Sequence, residues 1–363
     1  MSGYESVNMK ALIAMSGGVD SSVAAWLTRQ AGYECIGVTM KLFDNADAGI
    51  SSAKTCCSLT DIQDAYSVAL HLGITHHVCN FTQQFREQVI VPFAESYARG
   101  LTPNPCIACN RYMKFELLQE YAWQLGCEAV VTGHYARIIH DEKGWHLYKA
   151  LDPEKDQSYV LYNLTQETLP HTLFPLGGMN KSQTRETARQ LGLVTARKHD
   201  SQDICFAPDG DYARVAALYG SQNSRPGNFT DEEGNVLGTH KGIIHYTIGQ
   251  RRGLGLSSKE RLYVRSIDPD NNTVVLGDDR SLFSKELIAW DFNWISGSPP
   301  EGKLKCSAKI RYRHREQSAT AEVLADGLVH IVFDDLQRAI TPGQSVVLYN
   351  GDEVLGGGII QRR

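Results

Sequence analysis

Ala11-Leu-Ile-Ala-Met-Ser-Gly-Gly-Val-Asp-Ser-Ser22, running on into Val-Ala-Ala-Trp-Leu-Thr-Arg29, is the stretch from which the fold is read. Leu12, Ile13 and Met15 form a short apolar run expected to be a buried strand, and residues 21–29 have the apolar content and good formers of a helix. A tight turn must lie between them. Gly17 and Gly18 let the backbone approach a bulky anion, and Ser16, Ser21 and Ser22 offer hydroxyls. The helix behind them presents unpaired N–H groups and a positive dipole end. The turn reads as a phosphate cradle.

The cradle is neither G-x-x-x-x-G-K-[ST], so no lysine of that motif meets the β/γ-phosphates, nor G-x-G-x-x-G, which argues against a dinucleotide fingerprint. Ser16-Gly-Gly-Val-Asp20-Ser resembles the pyrophosphate loop of ATP pyrophosphatases, enzymes that split ATP into AMP and pyrophosphate and leave AMP on a substrate oxygen. A Gly-Gly turn without function would not need strand, hydroxyls and helix to agree.

At 363 residues, two or three domains are expected, and 42% hydrophobic with 21% charged residues is ordinary for a globular protein. The first residues lack a charged segment followed by an apolar run, and no stretch is apolar for long enough to span a bilayer. A cytoplasmic protein without membrane contact is expected. Nine cysteines, an odd number, do not resemble a secreted disulfide framework and point to catalytic or metal-binding thiols. A net charge of −5 gives no bulk attraction for nucleic acid, so such a partner would be held by local patches.

Strands are expected at 35–40, 76–80 and 129–134, and helices at 61–72, 85–99 and 115–125, with a polar loop over 44–60. This alternation predicts an α/β domain with a doubly wound parallel sheet, whose ligands gather at the carboxyl ends of the strands. The loop, Met40 and Gly133-His134 all fall at such ends. Residues 212–256 are Gly-rich and polar, implying a small linking domain. From Arg261 onward short alternating segments (262–267, 273–276, 305–313, 319–324, 328–333 and 345–349) separated by turns predict a β-barrel or sandwich. The expected division is 1–210, 211–284 and 285–363.

Thr102-Pro-Asn-Pro-Cys106-Ile-Ala-Cys109-Asn-Arg-Tyr-Met-Lys-Phe115 is the second informative stretch. Its prolines keep the chain extended, and a helix starting near Cys106 would place Cys109 in the first turn. There the helix dipole, with Arg111 and Lys114, is expected to favour a thiolate. Cys205, in Asp200-Ser-Gln-Asp-Ile-Cys-Phe206, lies among polar residues, as suits a reactive thiol on a loop. Cys35, Cys79, Cys127 and Cys306 are expected to be small buried hydrophobes, and Cys56-Cys57 receives no role. Zinc is disfavoured, because neither a second C-x-x-C nor a spaced His pair completes four ligands.

With Thr132-Gly-His-Tyr-Ala, Lys155-Asp-Gln-Ser-Tyr, Tyr246-Thr-Ile-Gly-Gln-Arg, Arg311-Tyr-Arg and Thr341-Pro-Gly-Gln-Ser added, the chain closely resembles the tRNA-specific 2-thiouridylases nearly from end to end. The resemblance implies an adenine nucleotide alpha hydrolase-like N-terminal domain, a small central domain and a C-terminal antiparallel β-barrel. It implies an ATP-dependent sulfurtransferase that thiolates the wobble uridine in the tRNA anticodon stem-loop. ATP would lie on Ala14, Met15, Ser16, Gly17, Gly18, Val19, Asp20, Ser21, Met40 and Gly133. Asp20 would also be a carboxylate beside Mg²⁺. Cys109 would be the nucleophile, and Cys205 would carry persulfide sulfur received from a cysteine desulfurase or a sulfur-relay protein. Cys109 would help release that sulfur through a transient disulfide.

Asn104, Pro105 and Cys106 would face the flipped base, and His134, Lys155, Asp156, Gln157, Arg311, Tyr312 and Gln344 would meet the tRNA. Arg311, Arg313 and Arg315, expected on one face of a strand, and Arg251-Arg252 would supply a basic patch. Arg311→Ala would then weaken tRNA binding and lessen its salt dependence. Cys106 stands where many members have Asp, so Cys106, Cys109 and Cys205 form a candidate ligand set for a [4Fe–4S] cluster. The rival readings are an amide-forming pyrophosphate-loop synthetase of the argininosuccinate or GMP type, which needs no paired thiols, and an RNA-binding protein that releases no pyrophosphate.

Overall fold

A computed structural model of the chain describes residues 9–44, 59–199, 204–219, 225–258 and 260–362. It divides into two compact units, one of Met1–Arg86, Cys106–Pro208 and Asp352–Val354, the other of Glu87–Pro105, Asp209–Gly351 and Leu355–Arg363. No helix among the described residues is long and apolar enough to cross a membrane.

The first unit holds a five-stranded sheet whose strands are β1 (Lys10–Ala14), β2 (Glu34–Lys41), β3 (Thr75–Asn80), β4 (Ala129–Val131) and β5 (Thr172–Leu173). They lie in the order β3-β2-β1-β4-β5, and every pairing is parallel. Alternate residues of β1 enter opposite cores. Ala11 and Ile13 pack with Val23 and Ala24 of α1 (Val19–Gln30) and with Val68 and Ala69 of α2 (Leu59–Leu72). Leu12 instead joins Leu118, Ala122 and Val130 on the other face. A strand covered on both sides reads as an unbroken apolar run, which is why this one was legible. The strand order reverses between β1 and β4, and a crevice is expected outside the carboxyl ends of two such strands.

The helix expected at 85–99 is three pieces: Thr82–Phe85, a π-helical segment Arg86–Ile90, and Val91–Ala98. The helix expected at 115–125 begins earlier and is continuous from Pro105 to Gln124, with π-helical geometry over Cys109–Leu117. Most of the loop expected over 44–60, including Cys56-Cys57, lies outside the described residues.

An unanticipated hairpin, Ala136–Asp141 with Gly144–Lys149, follows β4, and Glu353 and Val354 extend it by pairing with Tyr148 and Leu147. His146 lies between two carboxylates, with Nδ1 2.6 Å from Glu353 and Nε2 3.0 Å from Asp141. Burial works against its charge, but these hydrogen bonds outweigh it and raise the imidazole above the ordinary histidine value. A raised folded value stabilises fully below the unfolded pKa and loses that contribution as pH rises through the folded one. His146→Gln should therefore lower the melting temperature more at pH 5.5 than at pH 8.5; an equal loss at both would refute the pairing.

In the second unit, Gly227–Thr230, Val236–His240, Tyr263–Asp268 and Thr273–Gly277 form a four-stranded sheet around Phe229, Tyr246, Val264 and Val274. The segments read at 262–267 and 273–276 therefore pair with the glycine-rich region before them. The barrel consists of Phe283–Trp294, Lys303–Lys309, Gln317–Val323, Val329–Arg338, Ser345–Asn350 and Glu353–Ile360. It closes where Phe283–Trp294 pairs with Glu353–Ile360.

The strand expected over 305–313 ends at Lys309, and 310–315 turn, with His314 N–H donating to the Arg311 carbonyl at 3.1 Å. The alternation in Arg311-Tyr-Arg-His-Arg315 therefore does not place three arginines on one strand face. The Arg311 guanidinium is instead held by the Ala339 carbonyl and, at 3.0 Å, the Thr341 hydroxyl.

Candidate nucleotide and thiol site

The loop from Ala14 to Ser21 leaves the carboxyl end of β1 and enters α1 through Gly18, which caps the helix without a side-chain hydrogen bond. The first-turn amides of α1 thus have no side-chain acceptor, which suits an anion. The hydroxyls are arranged around them: Ser21 Oγ accepts from Ser16 N–H at 3.2 Å, and Ser22 Oγ donates to the Gly18 carbonyl at 2.7 Å. Gly17 has φ +71°, and a Cβ there would run into the Asp61 carbonyl at the start of α2. Gly133, just past the end of β4, is equally constrained. A Cβ on it would fall 2.7 Å from Ser21 N and 2.8 Å from Asp20 C. The residues read from sequence at the ends of β1 and β4 therefore meet where the strand order reverses. Met40 lies at the carboxyl end of β2, half-buried beside Leu12 and Val38.

Asp20 has protein partners that the sequence did not reveal. Both of its oxygens are taken by Lys181 Nζ, at 2.7 and 2.8 Å, and the Tyr135 hydroxyl donates to Oδ1 at 2.9 Å. Each carboxylate oxygen keeps a further lone pair beside these hydrogen bonds, so a divalent ion at Asp20 would share the carboxylate with the Lys181 ammonium. Lys181 opens α3 (Lys181–Gln190), whose Asn180 and Gln183 form a capping box. The box was visible in Asn180-Lys-Ser-Gln183; the reach of Lys181 to Asp20 was not. Lys198 is a second cation that sequence reading missed, since it donates to the Gly17 carbonyl at 2.9 Å and pairs with Asp61 and Asp64. Burial opposes its charge, but hydrogen bonds to those carboxylates hold it above the ordinary lysine value.

The thiols require a second correction. Cys109 retains some accessible surface but is densely surrounded by protein, and burial pushes its thiol above the ordinary value, with Lys114 opposing. Desolvation outweighs the expected dipole effect, in part because four residues from Pro105 precede Cys109 in the helix. Lys114 donates to Asn110 Oδ1 at 2.9 Å and sits 3.4 Å from His134 Nε2, while Asn110 anchors the helix through the Val160 carbonyl at 2.8 Å. His134 is buried, and desolvation and Lys114 pull its pKa well down, so it stays neutral. An ammonium can only donate, so Nε2 accepts and the proton on Nδ1 is shared with Thr132 Oγ1, 2.7 Å away.

Cys205 is half-buried beside Phe206, and Asp200-Ser-Gln-Asp203 of its motif lies outside the described residues. Phe206 packs edge-on against Phe85 at 5.9 Å, and Phe85 stacks at 5.9 Å on Phe43, just beyond β2. The Thr82–Phe85 turn also packs against Cys109–Leu117. Phe85 thus links the neighbour of Cys205 to the carboxyl edge of the sheet, and the short turn that carries it adjoins the helix of Cys109. Cys106 is exposed. Among the described residues no three His, Cys, Asp or Glu side chains gather to hold a metal, so Cys106, Cys109 and Cys205 are not brought together as a ligand set in this arrangement. Cys79 and Cys127 are buried as expected, whereas Cys35 and Cys306 are only half-buried, although burial still pushes both of those thiols up to about 11.

Several residues expected at the tRNA have protein partners. Gln157 Oε1 accepts from Tyr135 N–H at 3.0 Å, and Asp156 accepts from Ala150 N–H at 3.0 Å and from the Ser158 hydroxyl at 2.8 Å. In the second unit, Gln344 Nε2 donates to the Thr102 carbonyl at 2.7 Å and so fixes the segment carrying Asn104 and Pro105. Lys155 is half-buried and Tyr312 exposed.

Residues 9–209 match the model described as the tRNA methyl transferase HUP domain, 217–278 the tRNA methyl transferase PRC-barrel domain, and 284–360 the aminomethyltransferase beta-barrel domain. The tRNA-specific 2-thiouridylase MnmA of Clostridioides difficile is 50% identical over 98% of this chain and 99% of its own. The chain belongs to the tRNA-specific 2-thiouridylase family. Two further members bracket the same level: MnmA 2 of Caldanaerobacter subterraneus subsp. tengcongensis at 51% and MnmA of Acetivibrio thermocellus at 50%, covering 98% and 97% of this chain and 99% of each relative. Family membership thus covers the glycine loop, the thiols and the barrel together.

Proposed function

We propose that this protein is an ATP-dependent tRNA-uridine 2-sulfurtransferase that replaces the wobble uridine C2 oxygen with sulfur, giving 2-thiouridine, AMP and pyrophosphate. The observation that carries this reading is the match to 2-thiouridylases at about half identity over nearly the whole chain. The site chemistry agrees with it. A uracil carbonyl oxygen leaves poorly, so the O2 oxygen first attacks the α-phosphorus of ATP and expels pyrophosphate, a step suited to the amides and hydroxyls around Gly17 and Gly18. Methyl transfer, which two of the domain descriptions mention, would leave that loop and the thiols without a task.

The terminal sulfur of a Cys205 persulfide then attacks C2, and AMP departs with the former carbonyl oxygen. The Cys109 thiolate attacks the Cys205 sulfur, breaking the S–S bond. The electron pair of that bond leaves with the sulfur now on C2, completing 2-thiouridine. The resulting Cys109–Cys205 disulfide is reduced by an external thiol, and a cysteine desulfurase or sulfur-relay protein reloads Cys205.

Incubation of the protein with unmodified tRNA, ATP, Mg²⁺ and a persulfide donor, followed by nucleoside mass analysis, tests the reading. One uridine should lose an oxygen and gain a sulfur. Pyrophosphate release without thiolation, insensitive to both cysteines, would favour an amide-forming synthetase. The exposed turn after Lys309 offers the tRNA test that Arg311 no longer provides cleanly. Arg313→Ala and Arg315→Ala should each weaken tRNA binding and lower the salt slope by about one. Unchanged slopes would remove the turn from the interface.

A further inference from the structure

Lys198 follows the short helical turn Val194–Arg197, and its main chain is fixed before its side chain is considered. Its carbonyl accepts from Arg185 at 2.9 Å, and Thr195 in the same turn donates to Ser22 of α1 at 3.0 Å. From this anchored base the ammonium donates to the Gly17 carbonyl at 2.9 Å and lies 2.6 Å from both Asp61 and Asp64. Those carboxylates stand on the first turns of α2, against which Gly17 is packed too tightly to admit a Cβ.

All described peptide bonds are trans, so the Gly17 carbonyl and the Gly18 N–H point in opposite directions. Drawing the carbonyl toward Lys198 therefore turns the Gly18 N–H to the other face, away from Asp61. At a glycine with φ +71° this peptide can rotate at little steric cost, and the rotated form would present a carbonyl oxygen where an anion should sit. Lys198 also neutralises two carboxylates beside the loop that would otherwise repel a polyphosphate.

We propose that Lys198 is a positioning residue that locks the Gly17–Gly18 peptide with its N–H facing the phosphates, and so sets the affinity of the nucleotide site for polyphosphate. The proposal rests on the reading of the loop as an ATP seat. It is tested by titrating the full-length protein with ATP and, separately, with adenosine, which lacks phosphates. Lys198→Met should weaken ATP binding by about tenfold to a hundredfold and leave adenosine binding unchanged. Lys198→Arg, which keeps a cation, should restore most of the loss. Should Lys198→Met not fold, Lys198→Gln keeps a donor without the charge and should give a smaller loss, still confined to ATP. Equal weakening of ATP and adenosine, or no change in either, would overturn the assignment. Wild-type protein that fails to bind ATP would instead refute the nucleotide reading itself.

Discussion

Cys205→Ser is expected to abolish 2-thiouridine formation, by at least about a thousandfold, while tRNA-dependent splitting of ATP continues. The two activities should separate because the proposed reaction assigns them to different parts of the first unit. Adenylation needs the glycine loop and the uridine oxygen, whereas the sulfur must arrive on a thiol. Cys109→Ser should fail differently, since the sulfur reaches C2 but remains joined to Cys205 through an unbroken S–S bond. Product should then appear only when a strong dithiol is added to cleave that adduct. Cys306→Ser is the control, because burial pushes that thiol up to about 11 and its residue packs within the barrel. Nucleoside mass analysis and pyrophosphate release, measured on the same samples, separate the outcomes. Thiolation surviving in Cys205→Ser would remove that residue from the reaction.

The raised pKa of Cys109 adds a kinetic signature. Attack on the persulfide needs the thiolate, and burial leaves less of it at neutral pH than an ordinary cysteine would have. Sulfur release should therefore accelerate as pH rises, until the thiol titrates. Lys114→Met removes a charge that opposes burial, and it should move this profile to higher pH.

What could be read from the sequence was what neighbouring residues determine. Strand β1, the turn at Gly17-Gly18 and α1 follow one another directly, so their chemistry is visible in a dozen letters. Lys181 and Lys198 meet Asp20 and Gly17 across more than 150 residues, and no local pattern marks either. The Cys109 expectation failed because a helix position can be read locally, whereas the protein packed around a thiol cannot. Arg311-Tyr-Arg-His-Arg315 alternates as a strand would, yet a turn closed by the Arg311 carbonyl breaks it. The last barrel strand, Glu353–Ile360, escaped because Gly356, Gly357 and Gly358 erase its alternation. Gly356 and Gly358 lie where a side chain would collide with the facing strand around Phe292.

Gly17→Ala should be the most damaging single change in the loop, with ATP binding weakened by at least about a hundredfold. Two costs combine. Left-handed backbone at φ +71° costs a non-glycine residue about 1–2 kcal/mol, and the new methyl would strike the Asp61 main chain, which cannot move without shifting α2. Relief requires the loop to withdraw from Asp61, which breaks the Lys198 hydrogen bond and scatters the amides at the N-terminus of α1. Gly18→Ala is the informative comparison. Its φ of −97° suits any residue, and an added methyl meets only Ser16 Oγ at 3.4 Å, so the fold should keep its melting temperature. Loss of ATP binding in Gly18→Ala without loss of stability would measure how closely phosphate passes that α-carbon. Gly17→Ala should lower both. If it bound ATP as tightly as the parent protein, the nucleotide would have to sit elsewhere, and the role given to this loop would fall with it.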